Sequence, residues 1–213
     1  MSRDRSTNLG LSMSFIDFIR ANASWLGAGF LLALMSSFGQ TFFISIFSGA
    51  LRNEFDLSHA QWGATYALGT FSSAIVMVWA GGLSDHFRTR YLGVGVLLGL
   101  AFSTCFMMLN TSATLLIVVI FCLRFFGQGM ATHLSAVAMS RWFSAQRGRA
   151  LSIANMGFAL GEASLPVAFV VLLAFIDWRL LWGIAALVAL CAAPVLFALL
   201  RTERTPKSMS ESN

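Results

Sequence analysis

The chain has 213 residues, of which 57% are hydrophobic and 11% are charged, and its formal net charge is +5. A soluble globular domain carries about 25% charged residues, so this composition excludes a soluble enzyme, a secreted disulfide scaffold and a disordered chain. The 14 basic residues lie in short gaps between apolar runs, which argues against a nucleic-acid-binding face. A protein of the lipid bilayer is therefore predicted.

Six apolar runs follow one another along the chain. A helix of about 20 apolar residues crosses the hydrocarbon core of a bilayer, and each run is long enough. The predicted spans cover residues 25–47, 62–83, 91–109, 115–139, 150–175 and 180–200. We expect an all-α membrane protein with a six-helix transmembrane bundle over residues 25–200, an N-terminal segment over 1–24 and a polar tail over 201–213.

Basic residues are distributed unevenly between the two sides of this bundle. Only Arg52 and Arg179 lie in the gaps on one side, Arg124 lies within a span, and the other eleven lie on the opposite side. Excess Lys and Arg mark the cytoplasmic side of a membrane protein. Both termini are therefore predicted to be cytoplasmic, in a multi-pass protein of the plasma membrane, which in a bacterium is the inner membrane.

The gap after the second predicted span contains the most informative motif. Residues 81–90 read GGLSDHFRTR, a short turn with one carboxylate and two guanidinium groups. The pattern resembles the signature loop between the second and third helices of the major facilitator superfamily. The matching positions are Gly81, Leu83, Asp85 and Arg90, whereas His86 and Arg88 depart from the pattern. In that family, such a loop controls conformational change, and Asp85 resembles the residue that links helix ends of the two halves.

Two further segments carry the same resemblance. Residues 124–129, RFFGQG, resemble the family's intramembrane arginine and the glycine-rich step after it. Residues 141–150 resemble the loop between helices four and five of bacterial organic-anion and monocarboxylate-type carriers. Family members have twelve helices in two halves, with the substrate between them near the bilayer midplane. The resemblance implies that this chain is the amino-terminal half, built from two inverted repeats of three helices.

Two charged residues lie near the middle of predicted spans, where a charge costs at least ~2.5 kcal/mol. Arg124 and Glu162 therefore need partners or a wet cavity, and we expect them to pair across the fourth and fifth helices. Arg124 would then contact an anion or couple to protonation of Glu162, although a purely structural ion pair is the alternative. A rotation of 100° per residue places Gln128 on the Arg124 face and Asn155 on the Glu162 face, both predicted to line a cavity.

Weaker candidates lie on the first, second and fourth helices. Gln40 is on a face of the first helix that resembles the family's cavity lining, so it is a candidate ligand contact. A polar stripe on the second helix consists of Tyr66, Thr70, Ser73 and Met77. For both, helix packing alone is an alternative. His133 lies about 180° around the helix from Arg124 and is predicted to be a bonded interior histidine.

Small residues at four-residue spacing predict close helix packing. They occur on the fifth helix and, as Gly95 and Gly99, on the third. The stripe on the fifth helix comprises Ala150, Ala154, Gly157 and Gly161. In the family this helix lies between the halves, so we expect its stripe to be unpaired or to contact a second copy.

The sequence predicts a secondary transporter, or its N-terminal half, that moves a small organic solute such as a monocarboxylate by alternating access. The expected partners are the lipid bilayer, the small-molecule substrate, and a second copy or a separate C-terminal half. The alternatives are an inactive truncated half and a non-transporting membrane scaffold or regulatory partner. An enzyme is not expected, because the Gly-x-Ser-Gly turn of intramembrane proteases is missing. The three cysteines lack metal-ligand spacing, so no metal or cofactor is predicted.

Overall fold

The computed structural model describes residues 15–202, and every regular element in that range is helical. A short helix, Phe15–Ala21, precedes six helical spans, each long and apolar enough to cross a membrane. The spans are Ala23–Ile46, His59–His86, Thr89–Leu109, Ala113–Trp142, Arg147–Leu173 and Trp178–Leu199. The predicted six-helix bundle is thus confirmed, with boundaries within three residues of those expected. Most of the predicted N-terminal segment and nearly all of the polar tail lie outside the described residues.

Three of the spans contain irregular backbone. The first consists of Ala23–Ser36, a 3₁₀ turn over Ser37–Gly39 and Thr41–Ile46, and the helix Ser48–Glu54 continues it. The second consists of His59–Ala80 and Leu83–His86. The fourth consists of Ala113–Leu123, a π-helix over Arg124–Ala131 and Thr132–Trp142. The other three, Thr89–Leu109, Arg147–Leu173 and Trp178–Leu199, are continuous.

The packing of the six spans follows a pseudo-twofold pattern. The first span packs on the fifth, the second on the fourth, and the third on the sixth, while the first and fourth cross each other. A twofold rotation would exchange the first span with the fourth, the second with the fifth and the third with the sixth. It would convert the first–fifth pair into the second–fourth pair, and it would leave the third–sixth pair and the crossing of the first and fourth spans unchanged. This arrangement is the one expected of two inverted three-helix repeats.

The small-residue stripe of the fifth span is filled by the first span of the same chain. All four residues of the stripe are buried. A Cβ on Gly157 would overlap the carbonyl oxygen of Phe30, and a Cβ on Gly161 would overlap the side chain of Ser37. The expectation that this stripe is unpaired or contacts a second copy is therefore wrong. On the third span, Gly99 admits the ring of Phe126 as expected, but Gly95 faces open space.

The irregular parts of the first and fourth spans meet at two glycines. A Cβ on Gly127 would lie 2.6 Å from Cα of Gly39, and a Cβ on Gly39 would lie 2.7 Å from Cα of Gly127. Real Cβ atoms do not approach that closely, so neither position accepts a larger residue without separating the helices. The crossing fixes the distance between the 3₁₀ turn and the π-helix.

Substitution at this crossing is expected to be costly. The G127A variant should lower the free energy of unfolding by about 1–3 kcal/mol, because the added methyl group overpacks a backbone contact. G95A is the matched control, since nothing lies within 4 Å of its added Cβ. It should change stability by at most about 1 kcal/mol, in the stabilising direction. Chemical unfolding in detergent micelles measures the stability of both variants. Equal destabilisation would contradict the close backbone contact at the crossing.

Arg179 joins three elements at one end of the bundle. Its Nη1 donates hydrogen bonds to the carbonyl oxygens of Met108 (3.0 Å) and Asn110 (2.6 Å), at the end of the third span. Its Nη2 donates to Oε1 of Glu54 at 2.8 Å. The last carbonyls of a helix have no partner within the helix, so the guanidinium supplies one. Arg179 therefore ties the start of the sixth span to the ends of the helices before it.

Loss of Arg179 should cost more than loss of Glu54. R179Q removes the donors of two helix-end carbonyls and an ion pair, for an expected loss of about 2–3 kcal/mol. E54Q removes only a half-exposed ion pair, and such pairs contribute at most about 1 kcal/mol. Thermal unfolding in detergent distinguishes the two variants. Equal losses would mean that the carbonyl contacts contribute nothing.

Candidate functional site

Arg124 is a buried cation in the middle of the fourth span. It is the first residue of the π-helix, and 7% of it is exposed. Its Nη1 donates to the carbonyl oxygen of Gly39 and to Oγ1 of Thr41, both at 3.2 Å. No carboxylate lies within ion-pair distance of Arg124 in the described part of the chain. Neutral oxygens of the first span therefore solvate its charge.

The carbonyl of Gly39 is available because the first span is broken at the next residue. Gln40 has extended backbone angles, φ −83° and ψ 155°. In a continuous helix the N–H of Phe43 would donate to Gly39, but here it donates to the carbonyl of Gln40 at 3.2 Å. A free carbonyl is costly in a bilayer, which offers no water to bond it. The guanidinium of Arg124 satisfies the carbonyl that the break releases.

Thr41 connects this arginine to the second span. The hydroxyl of Tyr66 lies 2.9 Å from Oγ1 of Thr41, and the guanidinium carbon of Arg124 lies 5.8 Å from the centre of the Tyr66 ring. Sequence reasoning missed Thr41 because it assumed a continuous first helix and selected Gln40. Gln40 is half-buried, and its side chain makes no hydrogen bond within residues 15–202. The run Ser36-Ser37-Phe38-Gly39 was the available signal for a break.

A cleft of about 180 Å³ separates the second and fourth spans beside Arg124. Its lining comprises Thr70, Ser73, Ala74, Met77, Arg124, Gln128 and Gly129. All of the polar stripe of the second span except Tyr66 thus lines the cleft opposite Arg124 and Gln128. Two residues that line the cleft, Arg124 and Thr70, each have a buried polar atom without a hydrogen-bond partner, namely Nε and Oγ1. An unpaired buried donor is costly, so the cleft is suited to a ligand or water that accepts hydrogen bonds.

Because the fourth span contains a π-helix, a rotation of 100° per residue does not correctly place the residues beyond it. Ser135, which the 100° rotation places near the Arg124 face, is buried and donates to the carbonyl of Gly29 at 2.8 Å. It therefore binds the first span and does not line the cleft. The face that Arg124 shares with Gln128 therefore lines the cleft, and it does not continue to Ser135.

Glu162 and Asn155 lie away from this cleft, exposed on the surface of the fifth span. The predicted ion pair between Arg124 and Glu162 is wrong. Each of the two residues follows a buried stripe residue, Ala154 or Gly161, by one position and so projects about 100° away from the first span. Arg124, meanwhile, is turned toward the first and second spans.

The motif loop is fixed by residues of the fourth span. Arg141 forms an ion pair with Asp85 through Nη2 and donates from Nη1 to the carbonyl of Ser84 at 2.7 Å. Nε2 of His133 lies 3.2 Å from the carbonyl oxygen of Gly81. Asp85 therefore has one partner, Arg141, within this chain, and the contact with a second half that the resemblance implies stays a prediction. His133 is hydrogen-bonded, as predicted, and it is half-buried.

The remaining motif residues have separate roles. Arg90 places its guanidinium carbon 3.6 Å from the centre of the Phe197 ring, which joins the start of the third span to the end of the sixth. Gly81 ends the regular part of the second span, and Leu83 begins the short helix that contains Asp85. The motif therefore acts as a structural junction between helix ends within this chain.

The bundle and its cleft are those of a multi-pass membrane protein with a polar site inside the bilayer. Comparison with known proteins identifies the class further. A sequence model of the Major Facilitator Superfamily matches residues 29–213, and the chain belongs to that family. Its members are membrane transporters and not enzymes. No curated protein matches the chain.

Proposed function

We propose that this chain is the substrate-binding unit of a secondary transporter for a small organic carboxylate, such as a monocarboxylate, that works by alternating access. The cleft between the second and fourth spans is its site, and Arg124 is the group that binds the carboxylate. The observation that carries this proposal is a buried arginine that lines a cleft and has an unpartnered Nε–H. An arginine is a donor only, and a carboxylate is the complementary acceptor.

The charge of the cleft supports a substrate with one carboxylate. Arg124 is the single charged residue among those that line the described cleft. A monocarboxylate would neutralise it. The second carboxylate of a dicarboxylate would remain uncompensated in the membrane, at a cost of at least ~2.5 kcal/mol. Gln128 and Thr70 would orient the remaining polar groups of the solute.

Glu162 is proposed to carry the coupling proton. Its carboxyl lies in the middle of a span on an exposed helix face, and a charge there is unfavourable against lipid. A water-filled cavity toward a second six-helix unit would accommodate it, and Asn155 would line the same cavity. The second and fifth spans, equivalent under the pseudo-twofold, have the smallest buried shares, 22% and 17%. They are the proposed face toward that unit, either a second copy or a C-terminal half.

Neutralising Arg124 should abolish uptake. In proteoliposomes, R124Q is expected to lower uptake of radiolabelled acetate or lactate at least about tenfold, because a charge-assisted contact is lost. R124K keeps the charge but not the planar fork, so it should retain part of the activity. R149Q is the control, since Arg149 is exposed and lies outside the cleft.

Two further measurements complete that experiment. Unfolding of each variant must be followed in detergent, because Arg124 also satisfies the carbonyl of Gly39. Competition should show that monocarboxylates inhibit uptake and dicarboxylates do not. Wild-type uptake by a correctly folded R124Q variant would refute the assignment of the site.

The proposed orientation has the motif loop and both termini in the cytoplasm, in the plasma membrane, because most basic gaps lie at that end. Cysteines introduced by R52C and R201C, in a background without the three native cysteines, test it in intact cells. A membrane-impermeant maleimide should label R52C from outside and R201C only after the membrane is opened. Labelling of both from one side would overturn the topology.

A further inference from the structure

We propose that Thr41 is a second ligand-contacting residue, whose hydroxyl group binds the carboxylate together with Arg124. This inference rests on the proposed function. It assigns a role to a residue on the first span that does not belong to the lining of the cleft itself. The site would therefore extend from the second and fourth spans onto the broken first span.

The position of Thr41 follows from the break in the first span. It is the first residue after the extended Gln40, and it is exposed. Its Oγ1 lies 3.2 Å from Nη1 of Arg124 and 2.9 Å from the hydroxyl of Tyr66. Tyr66 precedes Thr70 by four residues in a regular helix, so both are on one face. The pair of hydroxyls thus lies next to the arginine that lines the cleft.

The cluster of Arg124, Thr41 and Tyr66 contains one O–H group that is not used in its hydrogen bonds. Arg124 can only donate, so it occupies one lone pair of Oγ1 of Thr41. The two hydroxyls of Thr41 and Tyr66 then share one hydrogen bond, which uses one of their two hydrogens. Whichever hydroxyl donates, the other keeps a free O–H. With Tyr66 as the donor to Thr41, the free hydrogen is on Thr41.

The spare donor adds to those of the arginine. Nε of Arg124 is buried without a partner, and Nη1 is fully used by Gly39 and Thr41. A ligand at this point meets N–H and O–H donors, and a carboxylate has lone pairs for both. A hydroxyl beside a guanidinium adds a directional contact without a second charge.

A structural role for Thr41 makes a different demand. To support Arg124, residue 41 needs only an oxygen that accepts a hydrogen bond. To contact a ligand, it also needs a free hydrogen. Serine supplies both and valine supplies neither, so T41S and T41V separate the hydroxyl from the shape of the side chain. Ser45 offers a matched control on the same helical arm, because it is exposed and its hydroxyl donates to the carbonyl of Phe42 at 3.0 Å.

The test measures binding of acetate and lactate to the purified full chain in detergent by titration calorimetry. T41V should raise Kd about 3- to 10-fold, the effect of one lost hydrogen bond. T41S and S45A should stay within about twofold of the wild type. Thermal unfolding of each variant without ligand shows whether a change in Kd is accompanied by a loss of stability.

A double-mutant cycle separates direct contact from positioning of the guanidinium. T41V is introduced into R124K, where no guanidinium remains to be positioned. If Thr41 contacts the ligand, Kd should again rise about 3- to 10-fold relative to R124K alone. If Thr41 acts only through the guanidinium, that factor should fall to about one, which would overturn the proposal.

The remaining outcomes distinguish this proposal from the function on which it rests. If the wild type binds no monocarboxylate, the proposed function fails and the role of Thr41 fails with it. If binding is lost in R124Q and unchanged in T41V, Arg124 keeps its role and Thr41 loses its own. An effect of S45A equal to that of T41V would show a general disturbance of the arm and also refute the contact.

Discussion

The hydrogen bond from Arg124 to the carbonyl of Gly39 joins the irregular first and fourth spans, and the site depends on this contact. A break in a membrane helix releases a carbonyl that lipid cannot bond, and a buried arginine needs acceptors for its N–H groups. The released carbonyl therefore accepts a hydrogen bond from the buried arginine, and both groups gain the partner that they need. The contact of Gly39 with Gly127 brings them within reach, since larger residues would separate the two backbones. The polar cleft exists because the guanidinium keeps donors that the first span does not use.

Both ends of the bundle are held by ion pairs related by the pseudo-twofold. At one end Arg141 of the fourth span binds Asp85 in the loop before the third span. At the other, Arg179 at the start of the sixth span binds Glu54 after the first span. The pseudo-twofold relates Arg141 to Glu54 and Asp85 to Arg179. The two ion pairs are therefore equivalent in position and opposite in charge. In each, the arginine also bonds backbone carbonyls, so helix ends are satisfied where exposed ion pairs alone would contribute little.

The errors of sequence reasoning at the site have two causes. Gln40 was selected, and Thr41 overlooked, because 100° per residue was applied across a break in the first span. The ion pair with Glu162 assumed that two charges in neighbouring spans must meet. Instead, the glycines of the fifth span lie against the first span, which turns Glu162 outward. Arg124 instead donates hydrogen bonds to neutral oxygens of the first span, which the distribution of charged residues does not predict.

The sequence by itself determined the six spans, the membrane environment, the motif loop and the presence of a charged residue, Arg124, within a span. These follow from local composition, because the transfer of an apolar run or a charge into lipid depends little on what lies elsewhere in the chain. Only the tertiary structure decided that the first span breaks at Gln40, that Arg141 is the partner of Asp85 and that Thr41 joins Arg124 to Tyr66. Each of these depends on residues more than 20 positions apart or on backbone geometry that close packing imposes.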